Sequence, residues 1–518
     1  MNYLLHNVTI ASSVGEKRGS IAISGDRISH IFGSKDGMTV LPENLSAEIH
    51  SMKNLTGKNH ARKDHAVKDH SGENGSAADA AMTNGSEARQ IPFERLAEAV
   101  KAEFPECEVI DCTGRIALPG GIDAHVHFRE PGMTHKADME SESLAALLGG
   151  VTSFIDMPNT NPPTTSAERL AQKLSMAEGR CHANYGFHIG ATNGNFSQIE
   201  RLIHEGDSGM SAADFGGIKV FMGSSTGNML VDDSNALTRF FSIKEKPILI
   251  HSEDETIIRH NLAQAQEKFG EDIPFSEHKE IRSRKACIRS TARALELAME
   301  EGTRLHVLHV STKEEIEMIR AAKRLNPNIT AETSANYLWF DSTGYDKMGS
   351  HLKCNPSVKD PEDRAALREA LLDGTIDTIG SDHAPHLLEE KDRKYLTAPS
   401  GLPSIRQTLP VLLTLADEGG IPLSRIASVF AENAARILGI KDRGYIRTGC
   451  YADIVIADPS YERAIEESQE GYRCGWTPYQ GVMLKGAAET VFINGIPAVR
   501  HGRLVSGHQG RKLVFSMQ

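Results

Sequence analysis

Short apolar runs that stop at polar residues recur along most of this chain, and each is followed by a stretch with helical spacing. The runs are Asp123–His127, Thr152–Asn159, Tyr185–Gly190, Gly217–Met222, Pro247–His251, Leu305–Val310, Ile329–Thr333 and Thr378–His383. Between them, stretches such as Ser166–Leu174 and Glu314–Lys323 place apolar residues three and four apart, the period of an amphipathic helix. Apolar strands alternating with such helices suit a parallel sheet, whose faces must be covered by the crossover helices. Eight units of this kind predict an α/β fold, a (β/α)8 TIM barrel. In that architecture functional residues sit where the strands end, on the C-terminal face.

A different pattern holds at the two ends. Tyr3–Ile10, Ser20–Ile23 and Arg27–Ile31 are rich in strand formers, with Gly25-Asp26 as a hairpin turn. Gly449–Ala457 and Glu489–Pro497 read the same way, the second with an Asn494-Gly495 turn. These ends predict one small β-sandwich, residues 1–33 and 104–117 joined by residues 445–518, with Trp476 and Tyr479 in a loop packed against it. Residues 118–444 then form the barrel. Residues 34–103 are polar and low in large apolar side chains, so they cannot bury enough surface to offset chain ordering. They are predicted to be mostly disordered, with a helix near 92–104 carrying Phe93, Leu96, Val100 and Phe104 on one face. His60, His65 and His70 in that segment recur every five residues, which shares no helical or strand face, and read as a solvated tract.

Composition narrows the class. The chain has 518 residues, 39% hydrophobic, with no apolar run of the length that crosses a membrane. Its N-terminus lacks the basic and long apolar regions of a signal peptide. Seven cysteines occur without any Cys-x-x-Cys pair, which predicts a reducing cytoplasm rather than a disulfide framework. A net charge of −12 argues against nucleic acid and anionic membranes as partners, and leaves a small molecule met by local positive charge.

Sorted by chemistry, the strand ends converge on a metal site. His125 and His127 are two apart, so a strand points both to one face. His251, His309 and Asp382 end three other strands, and imidazole with carboxylate suits zinc or another divalent transition ion. His306 lies on the opposite strand face from His309 and reads as a packed histidine. Lys219, inside an apolar run, would be costly to bury as an ion. It either reaches solvent, pairs with a carboxylate, or is deprotonated and carbamylated by CO2. Arg129 lies one further step of two beyond His127 and offers a planar fork matched to a carboxylate.

These residues carry a family resemblance. The segments Leu118–Gly132, Met157–Thr160, Ile250–Ser252, Leu308–Thr312, Lys353–Pro356 and Ser381–His386, with Lys219, span the barrel in order. The pattern resembles the amidohydrolase superfamily and, within its cyclic amidases, the dihydroorotase family. The resemblance implies two divalent ions, most simply zinc: His125, His127 and Asp382 on one, His251 and His309 on the other, and Lys219 bridging as its CO2-derived carbamate. It implies reversible cyclisation of N-carbamoyl-L-aspartate to L-dihydroorotate and water, in pyrimidine (UMP) biosynthesis. Hydroxide held at the metals would attack, with Asp382 as general acid and base. Substrate contacts are expected from Arg129, Asn159, Asn355, His386 and the loop residues Pro399 and Gly401. A homodimer is compatible with this reading. The sequence departs from the family pattern in the polar insertion and in Ser357-Val-Lys359. The alternatives are a hydantoinase (dihydropyrimidinase), an allantoinase, or a non-catalytic scaffold of the same fold. Arg129 separates the first two, because those substrates lack the ring carboxylate.

Overall fold

A computed structural model describes residues 1–42, 45, 89–222, 229–507 and 509–517. The N-terminal strands are β1 (Tyr3–Ser12), β2 (Gly15–Ser24), β3 (Arg27–Gly33), β4 (Met38–Leu41), β5 (Arg89–Pro92), β6 (Glu108–Asp111) and β7 (Ile116–Pro119). The barrel follows with β8 (Gly121–Val126), β9 (Val151–Asp156), β10 (Asn184–Phe187), β11 (Ile189–Gly190), β12 (Ile218–Phe221), β13 (Ile248–His251), β14 (Leu305–Val307), β15 (Thr330–Thr333) and β16 (Thr378–Ile379). The chain closes with β17 (Ile454–Ala464), β18 (Met483–Ile493), β19 (Ile496–Arg500) and β20 (Arg503–Leu504).

The barrel strands pair in parallel from β8 to β10 and from β11 to β16; β10 and β11 are one strand interrupted at His188. A parallel bridge between Val126 and His383, with the His127 N–H donating to the His383 carbonyl at 2.8 Å, joins last strand to first. Strand alternation decides which side chains reach the interior. Ile218, Val220, Ile248, Ile250, Leu305 and Val307 join the core that also holds Leu237, Phe240 and Leu295 of the surrounding helices. Their neighbours Lys219, Leu249 and His306 stand in register with one another on the opposite, inner face. That alternation is why a lysine enters the barrel at position 219.

Strands from both ends form a single sheet in the order β20-β19-β18-β17-β7-β1-β2-β3, with β6 on β1. Ile21 and Ile28 from one side share a core with Ile454 and Phe492 from the other, so the sheet curls over its own apolar face. β4 pairs antiparallel with β5 at the base of the polar insertion, and the helix Leu96–Glu103 buries Leu96 and Val100 against Leu4 and Phe32. Most of the predicted disordered stretch, with His60, His65 and His70, lies outside the described residues.

Two expectations are corrected. The last residues leave the terminal sheet: Lys512 bridges Tyr185, Phe515 bridges Ile440, and Leu513 and Phe515 pack on Ile122, Ala124 and Ile155 of the barrel. Leu513 and Phe515 are fully buried by this packing, whereas Val514 and Met517 between and after them stay exposed. Trp476 and Tyr479 likewise pack on the barrel, Trp476 Nε1 donating to the His386 carbonyl at 2.7 Å and the Tyr479 hydroxyl to Asn336 Oδ1 at 3.1 Å. Buried aromatics with a polar tip go where an acceptor waits. Among the described residues no helix is long and apolar enough to cross a membrane. All seven cysteines are buried and unpaired.

Candidate active site

The strand ends bring His125, His127, Lys219, His251, His309 and Asp382 around one cavity. Asp382 Oδ1 lies 3.4 Å from Nε2 of His125 and 3.1 Å from Nε2 of His127. One ligand atom from each of these three residues falls within 4.8 Å of the others, the spacing of a shared metal ion. Nδ1 of His251 is 2.9 Å from Nε2 of His309, and the His125 and His309 rings are 5.3 Å apart.

The outward nitrogens are held from behind. Nδ1 of His125 meets Glu332 Oε1 at 2.6 Å, and Nδ1 of His127 meets Asn159 Oδ1 at 2.8 Å. Nε2 of His251 meets Glu253 Oε2 at 2.8 Å, and Arg282 grips the same carboxylate at 2.5 Å. Such bonds fix the tautomer, so each imidazole turns one lone pair toward the centre. Burial lowers the pKa of His127, His251 and His309, so all three are neutral donors. Burial would raise the Asp382 pKa, but His125 and His127, with Lys219, hold it below the ordinary carboxylate value. The donor set therefore fits a divalent transition ion. Nδ1 of His309 is buried without a hydrogen-bond partner, as is tolerable for a ring held through its other nitrogen.

Lys219 is buried, its Nζ 4.7 Å from the Phe221 ring centre, and burial lowers its pKa to about 7. A substantial fraction is then free amine at neutral pH. Arg129, His309 and Asp382 have φ of 67°, 38° and 49°, a region that non-glycine residues seldom adopt. Three such residues at one cavity mark backbone bent to present side chains.

Opposite the metal ligands, the cavity wall carries Arg129, Asn159, Asn355, Ser400 and Gly401. Arg129 is only 4% exposed, and burial lowers its pKa to about 10, which leaves it a cation at neutral pH. Its Nε donates to the Pro385 carbonyl at 2.9 Å and Nη2 stands 3.0 Å from Nε2 of His386. Among the described residues no carboxylate pairs with it. Asn355 Oδ1 is buried without a partner. His386 and Pro399, expected on the wall, stand behind it: His386 links Arg129 to Lys136 and to the Ser400 carbonyl, and the Pro399 carbonyl accepts from Lys391. Asn159 lines the cavity but also supports His127. Sequence reasoning missed Glu332, Glu253 and Arg282. Glu253 carried a signal, since it lies two residues beyond His251.

Residues 116–497, which hold every one of these side chains, match the Amidohydrolase family. The chain belongs to the amidohydrolase family. It is a metal-dependent hydrolase. A dihydroorotase of Methanosarcina acetivorans is 35% identical over 384 residues, 72% of this chain and 80% of that protein. An allantoinase of Rubrobacter xylanophilus is 32% identical over 415 residues, 78% of this chain and 88% of that one. The L-hydantoinase (dihydropyrimidinase) structure from Arthrobacter aurescens superposes with a TM-score of 0.80 at 23% identity, covering 99% of each chain. That likeness shows a shared fold across the described residues, terminal sheet included.

Proposed function

We propose that this amidohydrolase is a cytoplasmic dihydroorotase, interconverting N-carbamoyl-L-aspartate and L-dihydroorotate in pyrimidine biosynthesis. Likeness to curated dihydroorotases at 35% identity supports it. The observation that carries the choice within the family is Arg129, a buried cation without a carboxylate partner among the described residues, on the wall of the cavity that holds the metal ligands. A buried guanidinium left without an anion is costly, and the carboxylate of this substrate supplies the anion. Hydantoin and allantoin have no such group to offer.

His125, His127 and Asp382 would hold one divalent ion and His251 and His309 a second, with zinc the best match to the donors. Such ions supply Lewis acidity toward a carbonyl and a water of lowered pKa. The neutral Lys219 amine would add to CO2, forming an N–C bond and releasing one proton, which turns a buried amine into an anionic oxygen donor. Asp382 takes the proton from the ureido nitrogen during ring closure and returns it to the ring nitrogen on opening. Arg129 keeps Nη1 for the substrate carboxylate, its other donors being partly engaged. Asn355 Oδ1, otherwise unsatisfied, accepts from a ring N–H.

Metal-loaded protein is expected to hydrolyse L-dihydroorotate, followed as loss of its ultraviolet absorbance, and to leave hydantoin and allantoin unchanged. Turnover of either of those in preference to dihydroorotate would overturn the assignment.

A further inference from the structure

A second cleft opens between the terminal sheet and the barrel, outside the active site. Its floor is built of small residues: Gly149, Ala487, Ala488 and Gly502 line it, and a Cβ on Gly502 would meet nothing within 4 Å. Its walls carry four arginines. Arg115 is neutralised by Asp458, at 3.1 Å, and by Glu489. Arg463 and Arg406 share one carboxylate, Glu470, at 2.7 and 3.7 Å. Arg503 is exposed, and no acidic residue pairs with it among the described residues. The cleft thus keeps a surplus of guanidinium charge in a chain whose net charge is −12, and an anion collects where the local field is positive.

An independent feature points to the rest of the ligand. β17 and β18 lose register between Asp458, opposite Ala487, and Glu462, opposite Lys485. Pro459, Ser460 and Tyr461 therefore bulge out against a single partner residue. Asp458 Oδ1 accepts from the Ser460 amide at 3.0 Å and from its hydroxyl at 2.7 Å, which fixes the bulge. Bulges re-aim side chains, and this one leaves Tyr461 49% exposed on the cleft wall. A flat exposed ring lining the same cleft as an unneutralised guanidinium offers stacking and phosphate binding together.

We propose that this cleft binds a nucleoside monophosphate, its phosphate on Arg503 with Arg463 and its base stacked on Tyr461. The test is calorimetric titration of the metal-loaded protein with UMP, AMP and ribose 5-phosphate, repeated on Arg503→Ala and Tyr461→Ala. Both side chains are exposed, so unchanged melting temperatures are expected and report intact folding. The expected result is saturable binding of UMP or AMP, weakened about tenfold by each substitution. Ribose 5-phosphate should be weakened by Arg503→Ala alone. Absence of saturable binding by either nucleotide, or affinity equal to the parent protein's in both variants, would overturn the site. Loss in Arg503→Ala with no change in Tyr461→Ala would overturn the nucleotide assignment.

Discussion

Arg129 is a buried cation on the wall of the cavity that gathers the metal ligands. β8 ends at Val126 and Arg129 has a φ of 67°, so a bent loop rather than strand alternation brings it to the cavity wall. What its spacing from His127 could not show is that its Nε is committed to a carbonyl from the eighth strand's loop. A lysine has one point charge and cannot span that carbonyl and a substrate carboxylate together. Both Arg129→Ala and Arg129→Lys are therefore expected to lower kcat/KM for dihydroorotate by about a hundredfold or more. Steady-state kinetics at saturating metal check this, and a lysine variant near the parent value would refute it. Glu332 was illegible because a glutamate inside the apolar run Ile329–Thr333 has no partner in sequence; His125 lies 207 positions away. Removing its charge with Glu332→Gln frees the His125 ring to turn. Metal affinity should fall roughly 10- to 100-fold, measured by competition with a chromophoric chelator. Unchanged affinity would mean that Glu332 serves only the core.

Strands and helices followed from periodicity because the barrel strands are short buried runs that turn apolar side chains toward the helices, and the helices are apolar on one face. Loops did not, since their order comes from bonds made across the chain. The segment 395–402 is the clearest case. Lys391 Nζ donates to the carbonyls of Lys353, Pro399 and Gly401 at 3.2, 2.9 and 3.1 Å. Lys353 Nζ donates to Tyr395 and Ala398 at 2.7 and 2.6 Å. Two lysines thereby pin the backbone that presents Ser400 and Gly401 to the cavity. Gly401 is required there: its φ is 146°, and a Cβ would come within 2.5 Å of the Ala384 carbonyl. Lys391→Met keeps the apolar stem and deletes three donors. The expected outcome is a KM for dihydroorotate raised severalfold, with metal content unchanged. A KM at the parent value would show that the loop holds its shape without the lysine.

At the scale of the whole molecule, charges sealed inside the fold make its stability depend on pH. The barrel buries Lys219 and Lys246, and burial lowers each to about 7, from an ordinary 10.5. Lys246 lies between the Phe215 and Phe515 rings, where the C-terminal segment caps the barrel. In the unfolded chain both lysines keep their protons up to about 10.5; in the fold they release them above about 7. Between those values the unfolded state binds more protons, so stability rises with pH. The rise is opposed from about pH 9 upward by buried thiols such as Cys112 and Cys354, which burial raises to about 12 from 9.0. They stay protonated in the fold after the unfolded chain has released its protons, and stability falls again. Metal-free protein should therefore show a urea midpoint that climbs from pH 7 to a maximum near pH 9. Lys246→Met, which keeps the packing and removes one titrating group, should flatten the climb. A midpoint that is level or falling from pH 7 to 9 would mean that both lysines remain protonated in the fold. The neutral amine that carbamylation of Lys219 requires would then have to form only when metal binds.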